Sequence, residues 1–373
     1  MYYQYEANLT EDGIQTLRKK KEAPFSPFIL RTIAIGSLFI CMSLLMYSAT
    51  MTGTVQQTTQ FSETTKYATL DNSTLSDLFD SFKVKFNKSY DTMDEESARY
   101  DNFRSFLKTV DERNNNDPTA IHGITKFADL SEDEFRNHFL GYVPAPSNSQ
   151  RITVPAYAGS ETVVNWANIY TTAVKDQGYC GSCWAFSATE QIESDSIRLG
   201  LLTTSDTLSP EQIVQCDSID EGCDGGNTET AFEYVMYAGG IESESNYPYT
   251  SYYDKTGLCT SNATDYVVTV SSYTKIADED SMISYVLSTG PLSICLDASS
   301  WSSYVSGIIT TCGKDVDHCV QAVGINLDEG YWIVRNSWGT EWGDAGYIYL
   351  ASGENMCDIS YDPKYVTTAL VHP

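Results

Sequence analysis

Apolar and polar positions change rhythm several times along the chain, and each change marks an element. Residues 32–49 (TIAIGSLFICMSLLMYSA) are apolar almost without interruption, about the shortest run that spans a hydrocarbon core as a helix. From Thr50 to Leu75 the chain is rich in Thr, Ser and Gln and too poor in apolar side chains for a core, which predicts a flexible stalk. Between Leu78 and Val110, residues such as Phe79, Phe82, Phe86, Tyr100, Phe103 and Leu107 recur at three- and four-residue spacings, predicting amphipathic helices. A further short helix is signalled by Asp129 to Phe135, with Ser131 or Asp129 as its N-cap. The turn-rich stretch VPAPSNSQ that follows Gly141 and Tyr142 predicts exposed backbone open to a processing protease. Helical spacing returns between residues 183 and 240, in Glu211 to Val214 and Ala231 to Met236 for example. Later segments (Tyr266 to Val270, Tyr331 to Val334, Tyr347 to Leu350) are rich in β-branched and aromatic residues and predict strands.

Charge sharpens this picture. The 373 residues hold 23 Lys and Arg against 50 Asp and Glu, a formal net charge of -27. Nucleic acid and anionic membrane surfaces reward clustered cations, so neither is expected as a partner. An acidic vesicle, where part of the carboxylates protonate, suits such a chain. Arg18, Lys19, Lys20, Lys21 and Arg31 precede the apolar run, and no Lys or Arg follows it until Lys66. By the positive-inside rule this predicts a cytoplasmic tail (1–31), a transmembrane signal anchor (32–49) and a lumenal remainder that starts with the stalk (50–75). A cleaved signal peptide is the rival, with an unusually long charged region and Tyr47 poorly placed for cleavage after Ala49. Either way the ten cysteines, Cys41 in the apolar run apart, meet an oxidising compartment, and the sequons at Asn72, Asn87 and Asn262 become glycan acceptors.

The candidate chemistry lies in Gln177-Gly178-Tyr179-Cys180-Gly181-Ser182-Cys183-Trp184, which leads into a helical pattern reaching Gly200. A thiol at a helix N-terminus faces unpaired N–H groups and the positive end of the dipole, which favours the thiolate. Such a nucleophile needs an imidazole to pair with and to protonate the leaving amine. The chain has 4 His: His122 and His138 fall in the helical N-terminal segment, His372 is penultimate, and His318 remains. It follows Cys183 by 135 residues. Cys180 and Cys183 also form a C-x-x-C that a thiol–disulfide oxidoreductase would use, but no alternating βαβ pattern surrounds it. The cluster Cys312, Asp315, Asp317, His318 and Cys319 lacks a second Cys/His pair at zinc-site spacing, so no metal or other cofactor is expected.

These motifs, with Gly225-Gly226 and Asn336-Ser337-Trp338-Gly339, resemble the papain-like cysteine proteases. The segment before them resembles the inhibitory propeptide of the cathepsin L-like branch. Glu95, Arg99, Phe103, Val110 and Asn114 match one propeptide pattern, with Phe106 where Asn is usual; Gly123, Phe127 and Asp129 match a second, with Thr125 where Asn is usual. The resemblance implies an α+β fold of two lobes, one helical and one a β-barrel, with a propeptide over 76–158 and the peptidase domain over 159–373. It implies Cys183 as nucleophile, His318 as base, Asn336 as the residue that orients it, Gln177 as oxyanion donor, and Trp338 and Trp342 as shields. Gly225, Gly226, Asn227, Thr228, Cys295, Asp317, Cys319, Trp338 and Asp362 fall at substrate-binding positions, Asp362 where an acidic pocket floor accepts basic side chains. The family's disulfides would pair Cys180 with Cys223, Cys216 with Cys259 and Cys312 with Cys357. Cys295 and Cys319 are left over, either as a fourth bridge or as two free thiols in the pocket wall. Without an occluding loop, the reading is an endopeptidase of protein and peptide substrates, inhibited by its own propeptide, monomeric once mature, and held in a lysosome-like compartment. A non-catalytic relative would have lost the Cys, the His or the Gln; none is lost.

Overall fold

Residues 66–144 and 149–371 are described by the computed structural model, together with the two-residue strand pair Ala7–Asn8 and Thr16–Leu17. The expected anchor at 32–49 lies outside the described residues; no described helix is long and apolar enough to cross a membrane. The described residues from Lys66 onward form one compact unit.

The stalk expected up to residue 75 ends earlier. Tyr67–Thr69 already makes a 3-10 turn, held by the Tyr67 and Ala68 N–H groups donating to the Asp111 carboxylate (3.0 and 2.7 Å). Helix α1 (Asn72–Lys85) starts at an Asp71 cap that accepts from Thr74 N. Helix α2 (Met93–Asn116) starts at Thr92, with Asp94, Glu95 and Glu96 against the positive dipole end. Their apolar stripes, Leu75, Phe79 and Phe82 with Phe103, Leu107 and Val110, bury one another. Strand β1 (Ala120–His122) follows, then α3 (Glu132–Phe139), whose N-cap is Ser131 rather than Asp129: Ser131 and Glu134 form a reciprocal capping box. Asp129 is used otherwise, its carbonyl accepting from Arg99 and Asn102. Arg99 Nη1 also reaches both Glu134 oxygens at 2.8 Å, tying α2 to α3.

The rest divides into helices and sheet in the order the residue pattern predicts. Helices α4 (Cys183–Arg198), α5 (Pro210–Cys216) and α6 (Thr228–Ala238) pack around Trp184, Ala188, Ile192, Ile213, Phe232 and Val235. Because α4 is buried from Cys183 to Ser196, its carboxylates need partners. Glu193 finds Lys175 (2.9 Å), Glu190 faces Arg335 (3.5 Å) and Asp195 finds Arg198 (3.0 Å).

The strands are β2 (Arg151–Ile152), β3 (Val163–Asn165), β4 (Ile241–Glu242), β5 (Tyr266–Ile276), β6 (Leu292–Leu296), β7 (Tyr304–Ile309), β8 (His318–Asn326), β9 (Tyr331–Arg335), β10 (Tyr347–Ala351) and β11 (Lys364–Leu370). With β1 they form an 11-stranded sheet in the order β1-β7-β10-β9-β8-β6-β11-β5-β2, with β3 on β8 and β4 on β5. The propeptide-like segment thus supplies both ends of this order, β1 antiparallel to β7 and β2 parallel to β5. Every residue of β8 is buried, so it reads as a continuous apolar run interrupted by residues that carry chemistry. Helix α7 (Glu279–Ser288) covers the sheet through Met282, Tyr285 and Val286.

Candidate active site

Cys183 is the first residue of α4 and His318 the first of β8, so the two lobes meet where the expected nucleophile and base lie. Both are fully buried in this chain. The register of β6 on β8 sets Leu296 opposite His318 and Cys295 opposite Cys319. The Cys319 backbone N–H and that of Gly141 point to the Cys183 sulfur, the latter at 3.3 Å.

His318 Nε2 lies 2.8 Å from Asn336 Oδ1, which also accepts from Ser337 N at 2.8 Å. An oxygen that already accepts one N–H is an acceptor for the imidazole too, which puts a proton on Nε2. His318 Nδ1 has no hydrogen-bond partner among the described residues. The Trp338 ring lies over the imidazole (centroids 4.7 Å apart), and Trp342 packs edge-on against Trp338. Gln177 is held at both ends: Oε1 accepts from Ser337 Oγ (2.7 Å), and Nε2 donates to the Cys180 carbonyl (2.9 Å) and to that of Phe139 (3.3 Å).

The cleft between these groups is filled by residues 139–143. Phe139 and Phe135 stack edge-on against Trp338. Gly141 O accepts from Gly226 N (2.9 Å), Tyr142 N donates to Asp317 O (3.0 Å), and Val143 N donates to Gly226 O (2.9 Å). Asn227 Nδ2 donates to Val143 O at 3.1 Å. Tyr142 and Gly226 pair in parallel. Gly141 leaves no space for a side chain, since a Cβ there would stand 1.8 Å from the Gly181 oxygen. Gly225, at φ 121°, gives the loop its close approach to the same strand.

The Tyr142 side chain packs into a pocket with Cys183, Cys295 and Cys319, Val316 beside it. Cys295 and Cys319 are joined, with Cα atoms 4.0 Å apart, and Cys180–Cys223, Cys216–Cys259 and Cys312–Cys357 are bonded as well. Cys183 is the free thiol among the described residues. Cys180 is therefore unavailable as its redox partner, which removes the oxidoreductase reading. One expectation is corrected here. Asp362 is not an open acidic floor: it is buried, paired with Lys275 (2.6 Å) and with Lys364. Lys275 also meets Glu229 at 2.7 Å, and Lys364 meets Thr228 Oγ1 at 2.9 Å. Two carboxylates against two ammonium groups leave the floor near neutrality.

Residues 161–367 match the family model described as papain family cysteine protease, and residues 79–135 match the cathepsin propeptide inhibitor domain. The chain belongs to the papain family of cysteine proteases. Cysteine proteinase 15A of Pisum sativum is 38% identical over 314 residues, 75% of this chain and 83% of its own length. Cysteine proteinase 1 of Dictyostelium discoideum is 36% identical over 322 residues, 78% of this chain and 91% of its own. Digestive procathepsin L2 from Tenebrio molitor larval midgut superposes with a TM-score of 0.71 at 30% identity, over 79% of this chain and 99% of its own. This papain-family hydrolase is thus a zymogen, with a cathepsin-type propeptide on its protease domain.

In the zymogen the covering propeptide reverses the charge state expected from the helix dipole. Burial pushes the Cys183 thiol up to about 12, against smaller downward pulls from the Cys319 and Gly141 N–H groups. Burial likewise pushes His318 down to about 4, against the pull of Asn336. A neutral pair is the covered state. Asp317, beside it, is raised to about 7 by burial. Sequence reasoning missed Lys275 and Lys364, because the pairing that brings them under the pocket joins β5, β6 and β11 across the sheet. It also missed Gly141 and Tyr142, whose neighbours Gly181 and Gly226 belong to the other domain.

Proposed function

We propose that the mature protein is an endopeptidase that cleaves by a Cys-His-Asn mechanism through an acyl-enzyme. The observation that carries this is the juxtaposition around residues 139–141: a propeptide carbonyl on Gln177 Nε2 and a propeptide N–H on the Cys183 sulfur. A substrate carbonyl in that place sits within reach of the thiolate, with Gln177 Nε2 and the Cys183 backbone N–H available to its developing oxyanion. His318, held through Nε2 by Asn336, keeps Nδ1 for the proton of Cys183. That proton goes to the departing amine as the thioester forms; water, deprotonated by the same imidazole, then releases the acid and restores the thiol. Asn336 orients the ring without adding charge. Removal of the propeptide rehydrates the pair and restores the ion-pair form that the helix N-terminus favours.

Asp317, Gly226, Asn227 and the pocket of Cys295, Cys319 and Thr228 hold the chain on the acyl side, as they hold residues 141–143 here. With Asp362 neutralised and a tyrosine from the propeptide in place, the pocket suits an aromatic or aliphatic side chain rather than Arg or Lys. The precursor is read as membrane-anchored through residues 32–49 with its protease domain lumenal, maturing as a monomer in an acidic compartment. The basic residues before that run and the disulfides support this reading. Cys183→Ala tests the mechanism: the expected product is a folded precursor that neither hydrolyses peptides nor takes up a vinyl-sulfone probe. Turnover by that variant would overturn the assignment of Cys183.

A further inference from the structure

Strand β1 of the propeptide occupies a place that the protease domain has built along β7. Ala120 and Ile121 pair with Gly307 and Ser306, Ile308 N donates to Thr119 O (3.0 Å), and Gly123 N donates to Ser303 O (2.8 Å). Just beyond the end of β7, three donors of the protease domain converge on one propeptide carboxylate. Thr310 N (2.7 Å) and Thr311 N (3.0 Å) donate to Asp117 Oδ2, and Thr310 Oγ1 donates to Oδ1 (2.6 Å). Burial disfavours the charge on Asp117, yet these bonds hold its carboxyl below the usual range. Gly307 completes the place: at φ 81° it carries no side chain, and a Cβ there would stand 2.3 Å from the Thr119 oxygen, barring the incoming strand. All of this is anchored within the protease domain. On its other side β7 pairs with β10, Ile309 opposite Leu350, and Thr310 and Thr311 lead directly into Cys312, which is bonded to Cys357. Loss of the propeptide therefore leaves the donors fixed without the partners they have here, beside an open sheet edge.

We propose that the vacated β7 edge and the donors of Thr310 and Thr311 form an exosite of the mature enzyme, which captures an extended segment of a protein substrate, remote from the bond to be cut, that carries Asp or Glu just before a short β-forming stretch. This rests on the cysteine-protease reading above. An added strand gains backbone hydrogen bonds and its carboxylate gains charge-assisted ones, so the main chain supplies affinity and the acid sets the register. In the propeptide sixteen residues separate Gly123 on the edge from Leu140 in the cleft. An extended chain of that length spans about 50 Å, so one substrate polypeptide can fill both places. The second contact is then intramolecular and raises capture without altering the chemistry at Cys183. Short peptides lack it.

The test uses enzyme processed from the full-length chain and freed of its propeptide by gel filtration. One fluorogenic cleavage sequence is offered alone, or joined through a flexible Gly/Ser linker to the octapeptide of residues 116–123 (NDPTAIHG), or to that octapeptide with Asp117→Asn. The expected result is a kcat/KM for the tagged substrate at least about ten-fold above the plain one, through KM, with the Asn form losing most of the gain. Thr310→Val removes the hydroxyl and keeps the shape; it should lower the advantage of the tag several-fold and leave the plain substrate unchanged. If that variant folds poorly, free octapeptide added to the unaltered enzyme decides: it should inhibit cleavage of the tagged substrate and spare the plain one. Equal inhibition of both would put the octapeptide in the cleft and overturn the exosite. Enzyme that takes up a thiol-directed probe and cleaves tagged and plain substrates with equal kcat/KM would overturn it too, leaving the protease reading intact. Failure to cleave either substrate would overturn both.

Discussion

Gly141→Ala is the sharpest perturbation of latency that the structure offers. The new methyl would stand 1.8 Å from the Gly181 oxygen and 2.4 Å from its carbonyl carbon, backbone atoms with no rotamer to escape into. Gly181 is held in turn by its N–H to the Cys223 carbonyl (2.8 Å) and by the neighbouring Cys180–Cys223 bridge. The propeptide strand must therefore give way by about 1.6 Å to reach an ordinary contact of about 3.4 Å. Such a shift breaks the bonds of Gly141 O to Gly226 N (2.9 Å), Gly141 N to Cys183 Sγ (3.3 Å) and Tyr142 N to Asp317 O (3.0 Å). At about 1 kcal/mol each the closed state loses about 3 kcal/mol, roughly a hundred-fold in the fraction of open cleft. The assay is the rate at which full-length precursor at neutral pH takes up a thiol-directed probe on Cys183. An increase of about two orders of magnitude is expected, with an unchanged circular dichroism spectrum. Labelling at the rate of the unaltered precursor would refute the claim that residues 139–143 close the site through this contact.

Two further outcomes follow from buried charge. His122 packs against β7 with Nδ1 2.9 Å from Ser303 Oγ, and burial first, then Arg113, pushes it down to about 4. A lowered imidazole contributes stability that is complete above its ordinary value of about 6.5 and is lost as pH falls toward about 4, up to about 3 kcal/mol. Acid should therefore loosen propeptide docking in that window, and His122→Gln should move the midpoint of acid-triggered conversion to lower pH, read by gel densitometry; an unmoved midpoint would exclude His122 as a trigger. At the pocket floor, Lys364→Met leaves Asp362 with one partner fewer. A substrate library should show the unaltered enzyme favouring Tyr, Phe or Leu over Arg two residues before the cut, and the variant should gain several-fold for Arg relative to Leu. Equal acceptance of Arg by the unaltered enzyme would mean that the lysines do not neutralise Asp362.

Local chemistry was legible in the sequence because it depends on neighbours a few residues away. The spacing of Phe79, Phe82 and Phe103, the Ser131–Glu134 box, the start of α4 at Cys183 and the β-branched strands around Trp332 and Ile348 are each set by short-range propensity and periodicity. Elimination among four His pointed to the imidazole that the structure holds against Asn336. What tertiary structure decided is everything that depends on burial and on partners far along the chain. The helix N-terminus that opens α4 favours a thiolate, yet the covering strand from residues 139–143 removes water and keeps Cys183 neutral. By resemblance Asp362 reads as an acidic pocket floor, until β5 and β11 bring Lys275 and Lys364 against it. Desolvation and long-range pairing are properties of the packed chain, so no window of sequence encodes them.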